Sequence, residues 1–254
     1  MSRASDLSDP GWVWGKHAVS ELLRSNPGQV AQVFLSAGDR GAPEIEGLCL
    51  RNRIPLMVLD PKEFLRRVQS PAHQSIAARL KSGYSYATLE DLLEKSPATA
   101  DPPPVLLILD HLQDPQNLGA IIRTAYCAGV RGVILPRDRS CPISGTVRKA
   151  ASGALEHLPV AQVTNLAQTI DRLKEEGFWI LGLEAGGPTS IYQVDLRVPL
   201  VVVVGSEGKG ISPLVLKKVD WTAAIPLAGE LGSLNASAAC AVVLFEIRRQ
   251  KGFK

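Results

Sequence analysis

Three polar and glycine-rich islands hold the residue types in this chain that could do chemistry. The first reads Asp-Pro-Gln-Asn-Leu-Gly at residues 114–119 and is followed by Arg123. The second reads Gly-Ser-Glu-Gly-Lys-Gly at 205–210, and the third runs from Ile-Pro-Leu at 225–227 to Ser-Leu-Asn-Ala-Ser at 233–237. Amide, carboxylate and hydroxyl groups can orient a ligand, and a guanidinium can hold a phosphate through two parallel hydrogen bonds. The islands therefore indicate a polar ligand site built from distant segments.

The first island predicts the start of a helix. Asp-Pro favours a turn, and Asn117 is a suitable N-cap for a helix over residues 118–128. On that helix the Arg123 side chain leans toward the N-terminus, over the small residues Gly119 and Ala120. A guanidinium stays protonated near neutral pH and is a poor proton acceptor. We therefore expect Arg123 to anchor a phosphate and to stabilise developing negative charge instead of acting as a simple base.

The second island is not a dinucleotide fingerprint. Its order is Gly-x-x-Gly-x-Gly instead of Gly-x-Gly-x-x-Gly, and no acidic residue ends a second strand about 20 residues later. It also lacks the spacing of a P-loop. Its glycines would instead let the backbone approach a ligand closely. An NAD-dependent oxidoreductase is therefore disfavoured.

Continuous apolar runs predict the strands that would position the islands. They lie at residues 105–109, 132–135, 179–183 and 200–204. Strands that are apolar on both faces belong in a parallel sheet covered by helices. The helical patterns fall at 118–128, 144–155, 166–176, 213–219 and 235–249. Since ligands on such sheets bind at the carboxyl ends of the strands, the islands can converge on one site.

A smaller α/β unit is predicted at the N-terminal side. Helix-like stretches at 16–24, 43–52 and 62–68 alternate with strand-like stretches at 30–35, 56–59 and 75–80. The acidic segment 83–103 reads as a linker, because its three consecutive prolines fit neither a helix nor a central strand. We therefore expect two α/β domains, at residues 11–82 and 104–254.

Composition bounds the class of protein. The 254 residues are 45% hydrophobic and 21% charged, with a net charge of +3 that is compatible with nucleic acid without being diagnostic of it. We find no apolar stretch of membrane-spanning length, and residues 1–10 lack a signal pattern, so a cytoplasmic protein is expected. The four cysteines lack metal-ligand spacing, which disfavours a metal site and a disulfide framework. Cys127 and Cys240 are expected to be core residues on helices.

In order and spacing, the three islands resemble the signature motifs of the SpoU/TrmH (SPOUT) family of RNA ribose 2′-O-methyltransferases, which use S-adenosylmethionine. The resemblance spans about 150 residues; a departure is Gln116, where the ribosomal enzymes commonly have histidine. It implies that the catalytic residues are Asn117, Arg123, Glu207, Ser233 and Asn235. It implies that the cofactor is bound by Gly205, Ile225, Leu227, Gly229, Ser233 and Leu234.

The resemblance has further implications for fold and substrate. The family forms a deep trefoil knot and a homodimer. Residues 15–19 and 73–77 look like the substrate-binding domain of the ribosomal-RNA members, which is related to the ribosomal protein L30e. The implied substrate is a guanosine of 23S ribosomal RNA, as free RNA or in a pre-ribosomal particle. The open alternatives are a 2′-O-methyltransferase acting on transfer RNA or on an adenosine, and a non-catalytic RNA-binding assembly factor.

Overall fold

The computed structural model describes residues 11–38, 42–68, 74–229 and 232–252. Contacts divide the chain into two compact units. The first comprises the residues up to 85 together with 142–157, and the second comprises 86–141 with 158–254. Among the described residues, we find no helix long and apolar enough to cross a membrane. Each unit is an α/β structure.

The first unit is built on a four-stranded sheet. Its elements in chain order are β1 (Trp12–Trp14), α1 (Lys16–Ser25), β2 (Val30–Ser36), α2 (Ala42–Asn52), β3 (Leu56–Leu59), α3 (Pro61–Val68) and β4 (Ile76–Leu80). The strand order is β1-β4-β2-β3, with β3 parallel to β2 and the other pairs antiparallel. The six elements predicted here are confirmed. Strand β1 was not predicted, because three residues are too few for a periodic pattern.

The second unit contains a seven-stranded sheet, counted over the described part of the chain, and every strand pair in it is parallel. The elements that follow in chain order are α4 (Leu89–Lys95), β5 (Val105–Leu109), α5 (Pro115–Cys127), β6 (Gly132–Pro136), α6 (Gly145–Ala151), β7 (Val160–Val163), α7 (Leu166–Glu175), β8 (Trp179–Leu183), β9 (Thr189–Ser190), β10 (Leu200–Val204), α8 (Pro213–Leu216), β11 (Trp221–Ala224) and α9 (Ala236–Gln250). Of these, helix α6 belongs to the first unit. The strand order is β7-β6-β5-β10-β8-β11-β9. Strands β5, β6 and β10 are buried along their whole length, which confirms the predicted parallel sheet.

Three strands of this sheet were not predicted. They are β7, β9 and β11, which are only two to four residues long and read Val-Ala-Gln-Val, Thr-Ser and Trp-Thr-Ala-Ala. Such short, mixed sequences carry no clear period of two. Tertiary pairing with longer neighbours therefore decides their conformation.

Helix α5 begins earlier than predicted, and Asn117 is not its N-cap. The N-cap is Asp114, whose Oδ1 accepts a hydrogen bond from the backbone N–H of Gln116 at 2.9 Å, and Pro115 occupies the first turn. A carboxylate before proline is an effective N-cap because proline needs no partner for its nitrogen. Asn117 therefore lies inside the first turn, and its side chain is available for other contacts.

The segment predicted as a linker contains helix α4. Thr88 and Asp91 form a capping box, in which Thr88 Oγ1 accepts from the backbone N–H of Asp91 at 3.1 Å and Asp91 Oδ2 accepts from that of Thr88 at 2.8 Å. The hydrogen bonds that the Asp91 carboxylate accepts from the backbone N–H and the hydroxyl of Thr88 hold the pKa of Asp91 below its usual value. Leu92 is fully buried in the core of the second unit. The Thr-x-x-Asp pattern was a readable helix-start signal.

Helix α6 packs against the first unit, although it lies within the span predicted as the C-terminal domain. Gly145 contacts β1 so closely that a Cβ there would overlap the indole of Trp14. Two polar contacts hold the end of the segment, His157 Nε2 to Glu21 Oε1 at 2.6 Å and Asn26 Nδ2 to Glu156 Oε2 at 2.7 Å.

The trefoil knot and the relation to L30e stay predictions, and His73 lies outside the described residues.

Candidate active site

A cleft of about 910 Å³ lies at the carboxyl ends of strands β8, β10 and β11. It is lined by residues 183–186, 204–210, 224–227, 229 and 232–236, and by Ala239 of α9. Small-molecule sites typically measure about 300–1,000 Å³ and occur at this edge of parallel sheets. The cleft therefore has the size and position of a cofactor site.

The second and third islands converge on this cleft. Eight of the residues predicted to serve the site line it: Gly205, Glu207, Ile225, Leu227, Gly229, Ser233, Leu234 and Asn235. Leu227 and Leu234 leave 39% and 42% of their surface exposed. Exposed leucines flanking a concave site offer apolar surface to a flat ligand, and the neighbouring main chain offers hydrogen-bonding groups.

A polar cluster joins the first island to the other two. Asn117 Nδ2 donates to Glu207 Oε1 in a short hydrogen bond. Asn235 Nδ2 donates to Asn117 Oδ1 at 3.1 Å and to Glu207 Oε1 at 3.2 Å. Asn117 is buried, whereas Glu207 and Asn235 face the cleft. The three side chains, which we name the Asn117–Glu207–Asn235 cluster, hold one carboxylate in a fixed orientation.

The orientation of the Asn235 amide is set by helix α9. Asn235, the first residue of the predicted helix 235–249, is the N-cap of α9, and its Oδ1 accepts from the backbone N–H of Ser237 at 2.9 Å and from the Ser237 hydroxyl at 2.6 Å. Since the oxygen is committed to the helix, the amide nitrogen must face Glu207. The start of α9 therefore positions the cluster.

Gly205 permits the loop after β10 to close on itself. Ser206 and Gly210 exchange two backbone hydrogen bonds, of 3.1 and 3.0 Å. A Cβ on Gly205 would overlap the backbone of Gly210. Gly208 and Gly210 have φ values of 79° and 66°, a region that favours glycine. The glycine pattern thus serves the loop closure that presents Glu207 to the cleft.

Arg123 lies six residues after Asn117 on helix α5. It is exposed on α5, and it is not among the residues that line the cleft in the described part of the chain. Cys127, on the same helix, is exposed, so the prediction that it is a core residue is wrong. Cys240 is buried as predicted, and burial raises the pKa of its thiol to about 12.

Glu184 is a cleft residue that the sequence analysis missed. Its Oε1 accepts from the backbone N–H of Ile211 at 2.9 Å, and its own N–H donates to Ala223 O at 3.0 Å. It thereby ties the end of β8 to the glycine loop and to β11. The sequence does contain a signal for a ligand-site residue here, because Glu184-Ala185-Gly186-Gly187 directly follows a predicted strand.

The fold and the cleft define an α/β protein with a cofactor-sized site at its strand ends, and family comparison refines that class. The model described as the SpoU rRNA Methylase family matches residues 104–245. The model described as RNA 2′-O ribose methyltransferase substrate binding matches residues 12–85. The chain therefore belongs to the SpoU rRNA methylase family.

Similar proteins extend this match over nearly the whole chain. The chain is 40% identical to the 23S rRNA (guanosine-2′-O-)-methyltransferase RlmB of Pseudomonas putida, over 95% of this chain and 97% of that one. It is 42% identical to RlmB of Pseudomonas aeruginosa, over 94% and 96%. The crystal structure of the SpoU methyltransferase AviRb from Streptomyces viridochromogenes with AdoMet shares the fold, with a TM-score of 0.77, 21% identity and coverage of 94% and 90%.

Proposed function

We propose that this protein transfers the methyl group of S-adenosylmethionine to the ribose 2′-hydroxyl of a guanosine in 23S ribosomal RNA. The observation that carries the proposal is the likeness, over nearly the whole of both chains, to the RlmB enzymes at 40% and 42% identity. That likeness includes the segment matched by the substrate-binding model, residues 12–85. Both the chemistry and the RNA-binding part of those enzymes therefore have counterparts in this chain.

The cleft suits S-adenosylmethionine. Leu227 and Leu234 can bracket the adenine, and the main chain around Ile225 can read its edge without charged groups. No atom lies within 4 Å of a Cβ built on Gly229, so the backbone there is open to a ligand. Gly205 and Ser233 would contact the remainder of the cofactor. When bound, S-adenosylmethionine supplies an electrophilic methyl group.

The residues of the first island and the cluster would serve the ribose. In the reaction, the 2′-oxygen forms a bond to the methyl carbon while the sulfur–carbon bond breaks, and the hydroxyl proton leaves. We assign Arg123 to the phosphate next to the target ribose, where its guanidinium also stabilises the developing alkoxide. The proton leaves through that phosphate or water. The Asn117–Glu207–Asn235 cluster, with Ser233, orients the hydroxyl for in-line attack.

The decisive experiment measures transfer of labelled methyl from S-adenosylmethionine to transcribed 23S RNA and to bulk transfer RNA. We expect label in 23S RNA as 2′-O-methylguanosine. Arg123→Ala should abolish it, and Arg123→Lys, which keeps the charge but loses the two-pronged geometry, should reduce it strongly. The matched control is Arg131→Ala, an exposed arginine of the same unit, which should leave the rate unchanged.

Other outcomes would contradict parts of the proposal. Label only in transfer RNA would keep the chemistry and overturn the substrate. A fully active Arg123→Lys would remove the bidentate phosphate contact from the mechanism. RNA binding without methyl transfer or S-adenosylmethionine binding would favour a non-catalytic assembly factor. Comparing naked RNA with isolated pre-ribosomal particles would identify the physical substrate, which we propose is encountered in the cytoplasm.

We also propose a homodimer formed through helices α5 and α9, which pack against each other. Each carries an exposed aromatic residue, Tyr126 at 45% and Phe245 at 42% exposure. Exposed aromatic surface of this kind is typical of interfaces. Sedimentation equilibrium should give twice the chain mass, and Phe245→Glu should shift it to the monomer. A monomeric native protein would contradict the proposal.

A further inference from the structure

A second cleft shares the glycine loop with the candidate active site. It measures about 900 Å³ and lies at the carboxyl ends of β5, β6 and β7. Ser206, Glu207, Lys209 and Gly210 line both clefts, so the loop is a common wall. Apart from Glu207 on the common wall, no residue assigned above lines this second cleft. Its lining residues all belong to the second unit.

The second cleft has an apolar floor and an apolar lip. Leu112, Leu166 and Val215 are buried beneath it, and Pro136 adds a rigid surface. Leu214 stands at the rim with 61% of its surface exposed. A large exposed leucine beside an apolar floor offers a slot for a flat ring, such as an unstacked base.

Three carboxylates line the second cleft, and two of them are committed to the protein. Asp114 caps helix α5, and Glu207 accepts from Asn117 and Asn235. Asp138, in the turn after β6, makes no side-chain hydrogen bond or ion pair within the described residues. Asp138 is therefore the carboxylate that is available to a ligand. An ionised carboxylate only accepts hydrogen bonds, so it selects a ligand edge with donors.

The same rim carries cations. The side chains of Arg139 and Lys209 have no ion-pair partner in the described chain. Nδ1 of His111 contacts Oδ1 of the buried Asp110, whose Oδ2 accepts from the backbone N–H of Ser212 at 2.7 Å. The imidazole is thereby held at the rim, while the two long cations remain able to pair with phosphate.

We propose that the second cleft holds the guanine base of the target nucleotide and that Asp138 selects it. The guanine edge presents two adjacent donors, N1–H and the 2-amino group, which match the two oxygens of one carboxylate. An adenine edge lacks this pair of donors. With the base in this cleft, its ribose lies beside Glu207, on the wall shared with the cofactor cleft. The inference rests on the proposed function, because a target guanosine is what the slot would read.

The test measures binding of 5′-GMP, 5′-IMP and 5′-AMP to the full chain saturated with S-adenosylhomocysteine, which fills the cofactor cleft. Saturation-transfer NMR at millimolar nucleotide should rank GMP above IMP, which lacks the 2-amino group, and IMP above AMP. We expect a GMP preference over AMP of about tenfold or more. Asp138→Asn should remove this preference while AMP binding stays unchanged. Asp195→Asn, at an exposed aspartate by the opposite strand ends, is the matched control.

A blocking variant tests the location independently. Thr164 is exposed and lines the second cleft but not the first, so Thr164→Trp should abolish nucleotide binding and leave the Kd for S-adenosylhomocysteine unchanged. Equal binding of GMP and AMP, no GMP binding, or GMP binding that survives Thr164→Trp would each overturn the inference. The assay involves no methyl transfer. Failure of the proposed function, seen as absence of label in RNA, is therefore distinguishable from failure of the base slot.

Discussion

At the scale of single residues, the site depends on one carboxylate with fixed partners. The Glu207 side chain is exposed. Asn117 and Asn235 nevertheless both direct an amide nitrogen at the same oxygen, Oε1. Because Asn235 is itself held by the start of α9, the carboxylate is oriented by a regular element. Oxygens fixed in this way lose little freedom when a substrate hydroxyl binds.

Replacing this carboxylate should affect catalysis more than cofactor binding. Glu207→Gln keeps the shape but forces one amide to face another, and it removes a charged acceptor worth about 1.5–3 kcal/mol. We expect kcat to fall about ten- to hundredfold, with the Kd for S-adenosylmethionine nearly unchanged, measured by single-turnover transfer and calorimetry. Glu90→Gln, at an exposed position of helix α4, is the control. A variant with native kcat would show that the cluster is only structural.

At the scale of elements, the glycine loop and the inserted helix α6 depend on the absence of side chains. Gly205 lies under the backbone of Gly210, and Gly145 lies against Trp14. In both places two segments approach more closely than a Cβ permits. Gly229, in the same cleft as Gly205, and Gly47, in the same unit as Gly145, have open space around them, which provides controls.

The loop prediction compares two glycines that line the cofactor cleft. Gly205→Ala must displace the backbone of Gly210, so we expect at least about a tenfold loss of S-adenosylmethionine affinity, of the order that small-to-large changes of about 1–3 kcal/mol produce. Gly229→Ala meets nothing within 4 Å and should change affinity little. Isothermal titration of both variants measures the difference. Equal affinities would show that the loop closes without requiring glycine at 205.

The second element prediction concerns the contact between α6 and β1. Gly145→Ala should destabilise the first unit by about 1–3 kcal/mol, because the indole of Trp14 and the carbonyl of Trp12, 2.9 Å from the added atom, cannot both move away. Gly47→Ala, inside helix α2 with open space, should instead stabilise by about 0.5–1 kcal/mol. Thermal unfolding, followed by calorimetry, measures the expected loss of stability in the first variant and the expected gain in the second. A neutral Gly145→Ala would contradict the close packing.

At the scale of the whole molecule, the half-buried ammonium of Lys251 links stability to pH. Lys251 Nζ donates to Pro103 O at 2.8 Å and to Val198 O at 2.7 Å, joining the end of α9 to two distant loops. Burial lowers the pKa of Lys251 from 10.5 to about 8. The folded protein therefore releases this proton at a lower pH than the unfolded chain does.

This linkage predicts a rise in stability with pH. Between pH 8 and 10.5 the unfolded chain binds more protons at Lys251 than the native chain does, so the free energy of unfolding rises with pH. The contribution of Lys251 to stability is therefore present above pH 10.5 and is lost as the pH falls through 8. Because the ammonium keeps partial contact with water, we expect about 1 kcal/mol. Urea unfolding of the native chain, relative to Lys251→Met, should show this gain between pH 7.5 and 9.5. A constant difference would disprove it.

Buried thiols act in the opposite direction over the same alkaline range. Burial raises the pKa of Cys141 to about 11 and that of Cys240 to about 12, from 9.0 for a free thiol. Their contribution to stability is complete below pH 9 and is lost as the pH rises toward these values. Comparing the native chain with Lys251→Met cancels the thiols, since both proteins contain them. The lysine effect is therefore measured alone.

The sequence by itself determined the long elements and the chemistry of the islands. Runs such as residues 105–109 and 200–204 are apolar on both faces, so only a covered parallel strand suits them, and strand ends bring the glycine loop and the Ser-Leu-Asn segment to one edge. These are local patterns, readable within a dozen residues. The family resemblance rests on the same local patterns.

Only the tertiary structure decided which distant groups meet. Asn117 lies 90 residues from Glu207 and 118 from Asn235, and no local pattern encodes these pairs. The same holds for the short strand β11, which forms because β8 pairs with it, and for helix α6, whose buried contacts are with the first unit. Periodicity reports which face of an element is buried, whereas the partner that buries it is chosen by packing of the whole chain.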